Sequence, residues 1–154
     1  MKPKFSRRTI VAVVLVVVVL AVAVALVGRQ LDKPQTARLS LGSGSSAQTY
    51  KLEKVSKPAD LAKGLSGRDS LASNSGMLFV FAGGDSQRCM WMKDMRFDID
   101  IVWVNTDLRV TSVVPKLTPG TYPQSYCATG KYVIELPSGD AAARGLRIGQ
   151  TVKL

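Results

Sequence analysis

Histidine is missing from all 154 residues. That single absence removes Ser-His and Cys-His nucleophile–base pairs, imidazole metal sites and the usual general base near neutral pH. Any catalysis would have to run on carboxylates, lysine or thiols. Thiols are scarce too: the only cysteines are Cys89 and Cys127. Two thiolates cannot fill a zinc shell, and the spacing is no C-x-x-C. Acidic residues are in short supply as well, 11 against 21 basic, for a formal charge of +10. Such an excess suggests nucleic acid or a membrane until it is divided along the chain. Four of the positive charges (Lys2, Lys4, Arg7, Arg8) crowd the first eight residues, and only +4 remains over residues 49–154. No nucleic-acid partner is expected, and weak attraction to anionic wall polymers or lipid head groups stays open.

What the chain does contain is an unbroken apolar run behind that basic tail, opening at Ile10 and closing at Val27. Eighteen helical residues rise about 27 Å, close to the hydrocarbon thickness of a bilayer. With the larger basic cluster in front, the expected topology is a single pass, N-terminus cytoplasmic and the remainder extracytoplasmic, in the cell membrane. The lipid bilayer is thus the first expected partner. A cleaved signal peptide is the competing reading, since Ala21-Val22-Ala23 and Ala23-Val24-Ala25 both offer an A-x-A pattern. Signal-peptide apolar regions, however, usually run about 7–15 residues. Outside the cytoplasm, Cys89 and Cys127 are expected to form a disulfide, with free thiols or a redox pair as alternatives. A bridge closing 38 residues contributes about 4 kcal/mol in the chain-entropy picture.

The expected organisation is a basic tail over 1–9, a transmembrane or signal-anchor helix over 10–27, a flexible linker over 28–48, and one globular domain over 49–154. The linker is suggested by Pro34 and the Gly-Ser cluster LGSGSSAQ. In the domain, strands are expected at 50–55, 77–81, 98–104, 108–114, 131–136 and 150–154. Residues 98–104 place Ile99, Ile101 and Trp103 on one face and Asp98, Asp100, Val102 and Val104 on the other. Pro58 and Gly64 bracket one short helix, and Ser138 is expected to cap another through Ala141–Ala143, closed by Gly145. The fold class is therefore predominantly β (α+β), a compact β-barrel or sandwich-like domain with two short helices.

Four blocks, GLSGRDSL (64–71), GMLFVF (76–81), WMKDMRFDIDIVWV (91–104) and YVIELPSG (132–139), occur in this order. In them the chain resembles the bacterial and archaeal "domain of unknown function 192" family, whose pattern is close to G-L-M-x-R-x-x-L, G-M-L-F, W-M-K-N-T-x-x-P-L-D-I and V-L-E-L-x-x-G. The resemblance implies a β-rich fold, often exported or anchored, and no established activity. It aligns Arg68 with the motif arginine, Gly76-Met77 with a glycine-methionine turn, Trp91, Met92 and Lys93 with the aromatic-Met-Lys segment, and Ile99-Asp100 with the Leu-Asp pair. Asp94-Met95 stands where Asn-Thr is common, and Asp98 where proline is common.

The candidate binding residues are Arg68, Trp91, Met92, Lys93, Asp94, Asp98, Asp100, Tyr122 and Tyr126. Arg68 can fork onto an internal carboxylate such as Asp100 or Glu135, or onto a ligand. Asp94, Asp98 and Asp100 can be a solvated strand entrance, a hard-cation site or an acid–base pair. Trp91 and Met92, with Met90 and Met95, either pack or line a groove. A disulfide would draw the Tyr122–Tyr126 loop against that cluster, which suits sugar or peptide recognition. No catalytic residue, cofactor or metal is assigned. The expected role is non-catalytic binding at the envelope, of glycan, peptide or a membrane protein. The alternatives are a glycan hydrolase using Asp98 or Asp100 with Glu135, and an accessory subunit of a membrane complex.

Overall fold

The computed structural model describes residues 7–31, 35–41 and 48–154. Lys2 and Lys4 of the basic tail, residues 32–34 and most of the Gly-Ser cluster (42–47) lie outside them. The chain divides into two compact units, Met1–Pro34 and Gln35–Leu154.

In the first unit, α1 runs from Arg7 to Leu31. Valine-rich and free of proline, it carries exposed side chains at every described position of 11–26. Among the described residues, no helix is long and apolar enough to cross a membrane.

The second unit begins earlier than its composition suggests. Gln35–Leu41, expected within the linker, forms β1 and pairs antiparallel with β2 (Gln48–Val55), Leu39 opposite Tyr50. The reason is burial: Leu39 and Leu41 are almost completely enclosed. The chain then turns through α2 (Pro58–Lys63), with proline at its start and Gly64 ending it as expected. It returns as β3 (Ser75–Val80), parallel to β2. The remaining elements are β4 (Ser86–Trp91), β5 (Ile99–Val104), β6 (Val110–Leu117), β7 (Ser125–Gly130), β8 (Tyr132–Pro137) and α3 (Asp140–Ala143). Six strands form one sheet in the order β1-β2-β3-β8-β5-β6, and β4 and β7 form a separate two-stranded sheet.

The expected barrel is not closed. No ladder joins β1 to β6. The segment expected to end the sheet as a strand makes only isolated bridges, Thr151 to Arg109 and Lys153 to Ser40. Instead the large sheet is covered on both sides. On one face, Leu52, Val102, Val104, Ile134 and Leu136 pack with Ala141 of α3 and with Leu146 and Val152. On the other, Phe79, Ile101, Trp103 and Val133 pack with Met90 of the β4–β7 strand pair and with Leu65, Met92 and Met95. This two-sided cover explains why all six residues of β5 are buried. Its expected face division holds, with Ile99, Ile101 and Trp103 in one core and Val102 and Val104 in the other. Each such side chain contributes about 1.5–3 kcal/mol by leaving water. Trp103 also fastens the β4–β7 pair, its indole Nε1–H donating to the Arg88 carbonyl at 2.8 Å.

Ser138 does not cap α3. The N-cap is Gly139, in a left-handed conformation with no side-chain cap bond. Its cap comes from β5, as described next.

Candidate functional site

Asp100 was expected to face a ligand. It is fully buried, and its carboxylate is occupied by the protein's own backbone. Oδ1 accepts from the Lys116 and Gly139 N–H groups at 2.8 and 2.9 Å, and Oδ2 from the Ala141 N–H at 2.7 Å. Lys116 lies where the β5–β6 register shifts, a bulge that frees its amide from the ladder. The other two donors are the start of α3, which favours negative charge. Asp100 is thus a buried clamp joining β5, β6 and α3.

A cavity of about 200 Å³ opens on the side of the β4–β7 pair. Its walls are α2 with the turn after it (Leu61, Lys63, Gly64), Phe79 and Phe81 at the end of β3, and Cys89, Met90 and Trp91 of β4, with Met95. Into it projects Glu135 of β8, 4% exposed, whose Oε2 has no hydrogen-bond partner. Burial raises its pKa from the ordinary 4.5 to about 8, with Arg68 opposing weakly. An enclosed carboxyl avoids a large desolvation cost by holding its proton. At neutral pH Glu135 therefore sits in an apolar cavity as a neutral acid, able to donate one hydrogen bond and accept others. Gly64 is part of the wall. A β-carbon there would stand 3.1 Å from the Phe79 ring and 4.0 Å from Glu135 Oε2, and its φ of +50° already favours glycine.

The rest of the entrance is held by backbone contacts between distant segments. Ser66 Oγ donates to the Lys93 carbonyl at 2.7 Å, and the Gly67 N–H to the Asp94 carbonyl at 2.8 Å. Lys93 and Asp94 therefore contribute through their main chains, their side chains exposed outside the cavity wall. Of the nine candidate binding residues, Trp91 alone is in the cavity lining, 46% exposed at its mouth. Met92 is buried core. Arg68 bonds Glu53 at 2.7 Å, not Asp100 or Glu135. Asp98 is exposed, and among the described residues no three potential ligand side chains converge on a cation position.

The expected Tyr122–Tyr126 loop runs only to residue 124, and Ser125 and Tyr126 open β7. β7 pairs with β4 in a register that sets Cys89 opposite Cys127 and Met90 opposite Tyr126. A disulfide joins the two cysteines, and Tyr126 packs on the core beneath this strand pair. Tyr122 is exposed, and neither tyrosine lines the cavity. Asp100 does not pair with Glu135 as a hydrolase would need. Glu135 stands opposite Ile101 in the β5–β8 ladder, so Asp100, one residue away, faces the other side of the sheet.

All four sequence blocks reach this one cavity: Gly64, Leu65 and Ser66 from the first, Phe79 and Phe81 from the second, Trp91 and Met95 from the third, Glu135 from the fourth. The DUF192 profile, described as an uncharacterised ACR, matches residues 40–154. The chain belongs to the DUF192 family. A solved structure of a protein of unknown function from Novosphingobium aromaticivorans DSM 12444 is similar at 25% identity and a TM-score of 0.72, covering 80% of this chain and 88% of that one. Another, from Sinorhizobium meliloti 1021, has 22% identity and a TM-score of 0.71, covering 79% and 95%, and shares the fold. No curated protein matches the chain. Within this DUF192 domain Met90, Trp91 and Met95 of the expected apolar cluster do line the cavity, whereas Phe79 and Phe81 carried no sequence signal as lining residues. The sequence reading weighed Glu135 only as a partner for other charged groups. The signal for Glu135 was present in Val133-Ile134-Glu135-Leu136, one acid inside an otherwise apolar strand.

Proposed function

We propose that this DUF192 domain is a binding module, non-catalytic, that receives one uncharged polar group of an envelope glycan or peptide in the Glu135 cavity. The observation that carries the reading is the Glu135 carboxyl, enclosed among apolar walls with Oε2 unpartnered. A buried polar atom without a partner costs roughly 1–3 kcal/mol, recovered when a ligand supplies the missing hydrogen bond. Trp91 at the mouth offers an aromatic face to a sugar ring or peptide side chain. The volume admits a single ring or side chain, so recognition is of a terminal group.

We further propose that residues 10–27 hold the domain at the outer face of the cell membrane. The reading rests on the eighteen apolar residues behind four basic ones and on the exposure of the described side chains of 11–26. In spheroplasts, added protease should digest the C-terminal domain while leaving a cytoplasmic control intact. A protected domain refutes the topology.

Binding is tested with the full chain in phosphatidylcholine nanodiscs, titrated with N-acetylglucosamine and with the dipeptide alanyl-alanine while tryptophan fluorescence is followed. Saturable binding of either probe, weakened at least tenfold by Glu135→Ala and by Trp91→Ala, supports the assignment. Absence of saturation with both, or binding indifferent to both substitutions, overturns it.

A further inference from the structure

The opposite face of the sheet carries a second opening, independent of the Glu135 cavity. A groove of about 640 Å³ lies at the end of the α3-side core. Its floor and walls are Ala37, Leu78, Val80, Leu108, Tyr132 and Leu154. Leu78 belongs to that core and the other five are partly buried against it. The two charged residues lining it, Arg38 and Lys54, are both basic.

Strand parity explains the odd member. Along β2, Tyr50, Leu52 and Lys54 share one face. Tyr50 and Leu52 are fully buried in the core, whereas Lys54, two residues on, is half-buried at its open end. A lysine can lay its methylene stem on apolar surface while its ammonium seeks water or an anion. Among the described residues, neither Lys54 nor Arg38 forms an ion pair. Glu53, the acid beside Lys54 in sequence, is bound to Arg68. Arg38 is exposed on β1, the edge strand, where it stands at the groove's rim.

We infer that this groove binds a long-chain carboxylate, its head group on Lys54 and Arg38 and its chain along Val80, Leu108 and Tyr132. The apolar walls exclude a purely ionic ligand such as a free phosphate. Cationic amphiphiles are excluded by the two basic residues and the lack of any acid in the lining. The volume falls within the range that holds one small organic ligand, which favours one acyl chain over the two of a phospholipid.

The test uses the full chain in phosphatidylcholine nanodiscs and a diazirine-bearing palmitate, photolysed and mapped by peptide mass spectrometry. Adducts are expected on Leu78, Val80, Leu108 or Tyr132. Unlabelled palmitate should suppress them, while hexadecanol and hexadecyltrimethylammonium should compete at least fivefold less well. Lys54→Gln and Lys54→Glu should each lower the groove yield at least fivefold, and Lys57→Glu, at an exposed position before α2, should leave it unchanged. Retention of the Cys89–Cys127 bridge and of the native circular dichroism establishes that the variants are folded. Adducts confined to 11–26 indicate bilayer partition alone and overturn the proposal. So does equal competition by the alcohol or the cation, or a yield indifferent to both Lys54 substitutions.

Discussion

Asp100 and Glu135 lie one register step apart on neighbouring strands, yet they face opposite sides of the same sheet. The first is satisfied by three backbone N–H groups, and the second keeps an unpartnered oxygen in a cavity. One carboxyl group is used up by the fold, and the other is left with an oxygen that the protein does not pair.

Replacing Asp100 tests the clamp. Asp100→Asn keeps the shape but removes the charge and one of the acceptor oxygens. Bonds to charged groups contribute about 1.5–3 kcal/mol each, and a stranded donor costs a similar amount. Urea unfolding should show a loss of about 3 kcal/mol or more. A loss below about 1 kcal/mol would mean that the three contacts are incidental.

Glu135 sets a pH dependence of stability. Its folded pKa, about 8, exceeds the ordinary 4.5. Between those values the folded state keeps a proton that the unfolded state has released, so stability is fully present below about pH 4.5 and falls as pH rises. The slope approaches 1.4 kcal/mol per pH unit and flattens above pH 8. Glu135→Gln should remove this slope. Unfolding curves at pH 5, 6.5 and 8 on both proteins decide the matter, and parallel pH profiles would refute the buried proton.

Gly76 was expected in a turn but lies within β3, where β8 leaves no room for a side chain. A β-carbon would meet the Glu135 carbonyl oxygen at 2.5 Å and a Leu52 methyl at 2.8 Å. Backbone cannot step aside cheaply, so Gly76→Ala should cost about 2–3 kcal/mol or more. Thermal unfolding within a degree or two of the parent would contradict that packing.

The disulfide joins directly opposed residues of a two-stranded sheet that the main sheet does not extend. Replacing both cysteines by serine should lower stability by about 2–4 kcal/mol. Alkylation of the unreduced, denatured protein should find no free thiol. Two alkylated cysteines would show that the bridge does not form.

Much of this architecture was legible from local chemistry. The bounds of α2 followed from Pro58 and Gly64, and the two faces of β5 from simple alternation, because both signals are contained within a few residues. β1 was hidden by its neighbours. Leu39 and Leu41 alternate properly, but Pro34 and the Gly-Ser cluster around them read as linker. β7 was hidden for another reason: Ser125, Thr129 and Gly130 suit a loop, and only pairing with β4, 38 residues away across the disulfide, makes them a strand. The role of Asp100 was unreadable because its donors, Lys116, Gly139 and Ala141, are brought together only by the finished fold. Trp91 was placed at the site by its motif. Met90 and Met95 belonged to the same expected cluster, but Phe79 and Phe81 look like any core apolar residue until the walls around Glu135 are assembled.

The isolated bridges of Thr151 and Lys153 reach Arg109, beside the start of β6, and Ser40, on β1. These are the two ends of the strand order, so one short segment lies as a clasp over both borders of the sheet. Unpaired borders are templates for pairing with other chains. Removing residues 150–154 would thus bare two such templates at once, and the shortened protein should be lost first to self-association, with its fold still largely in place.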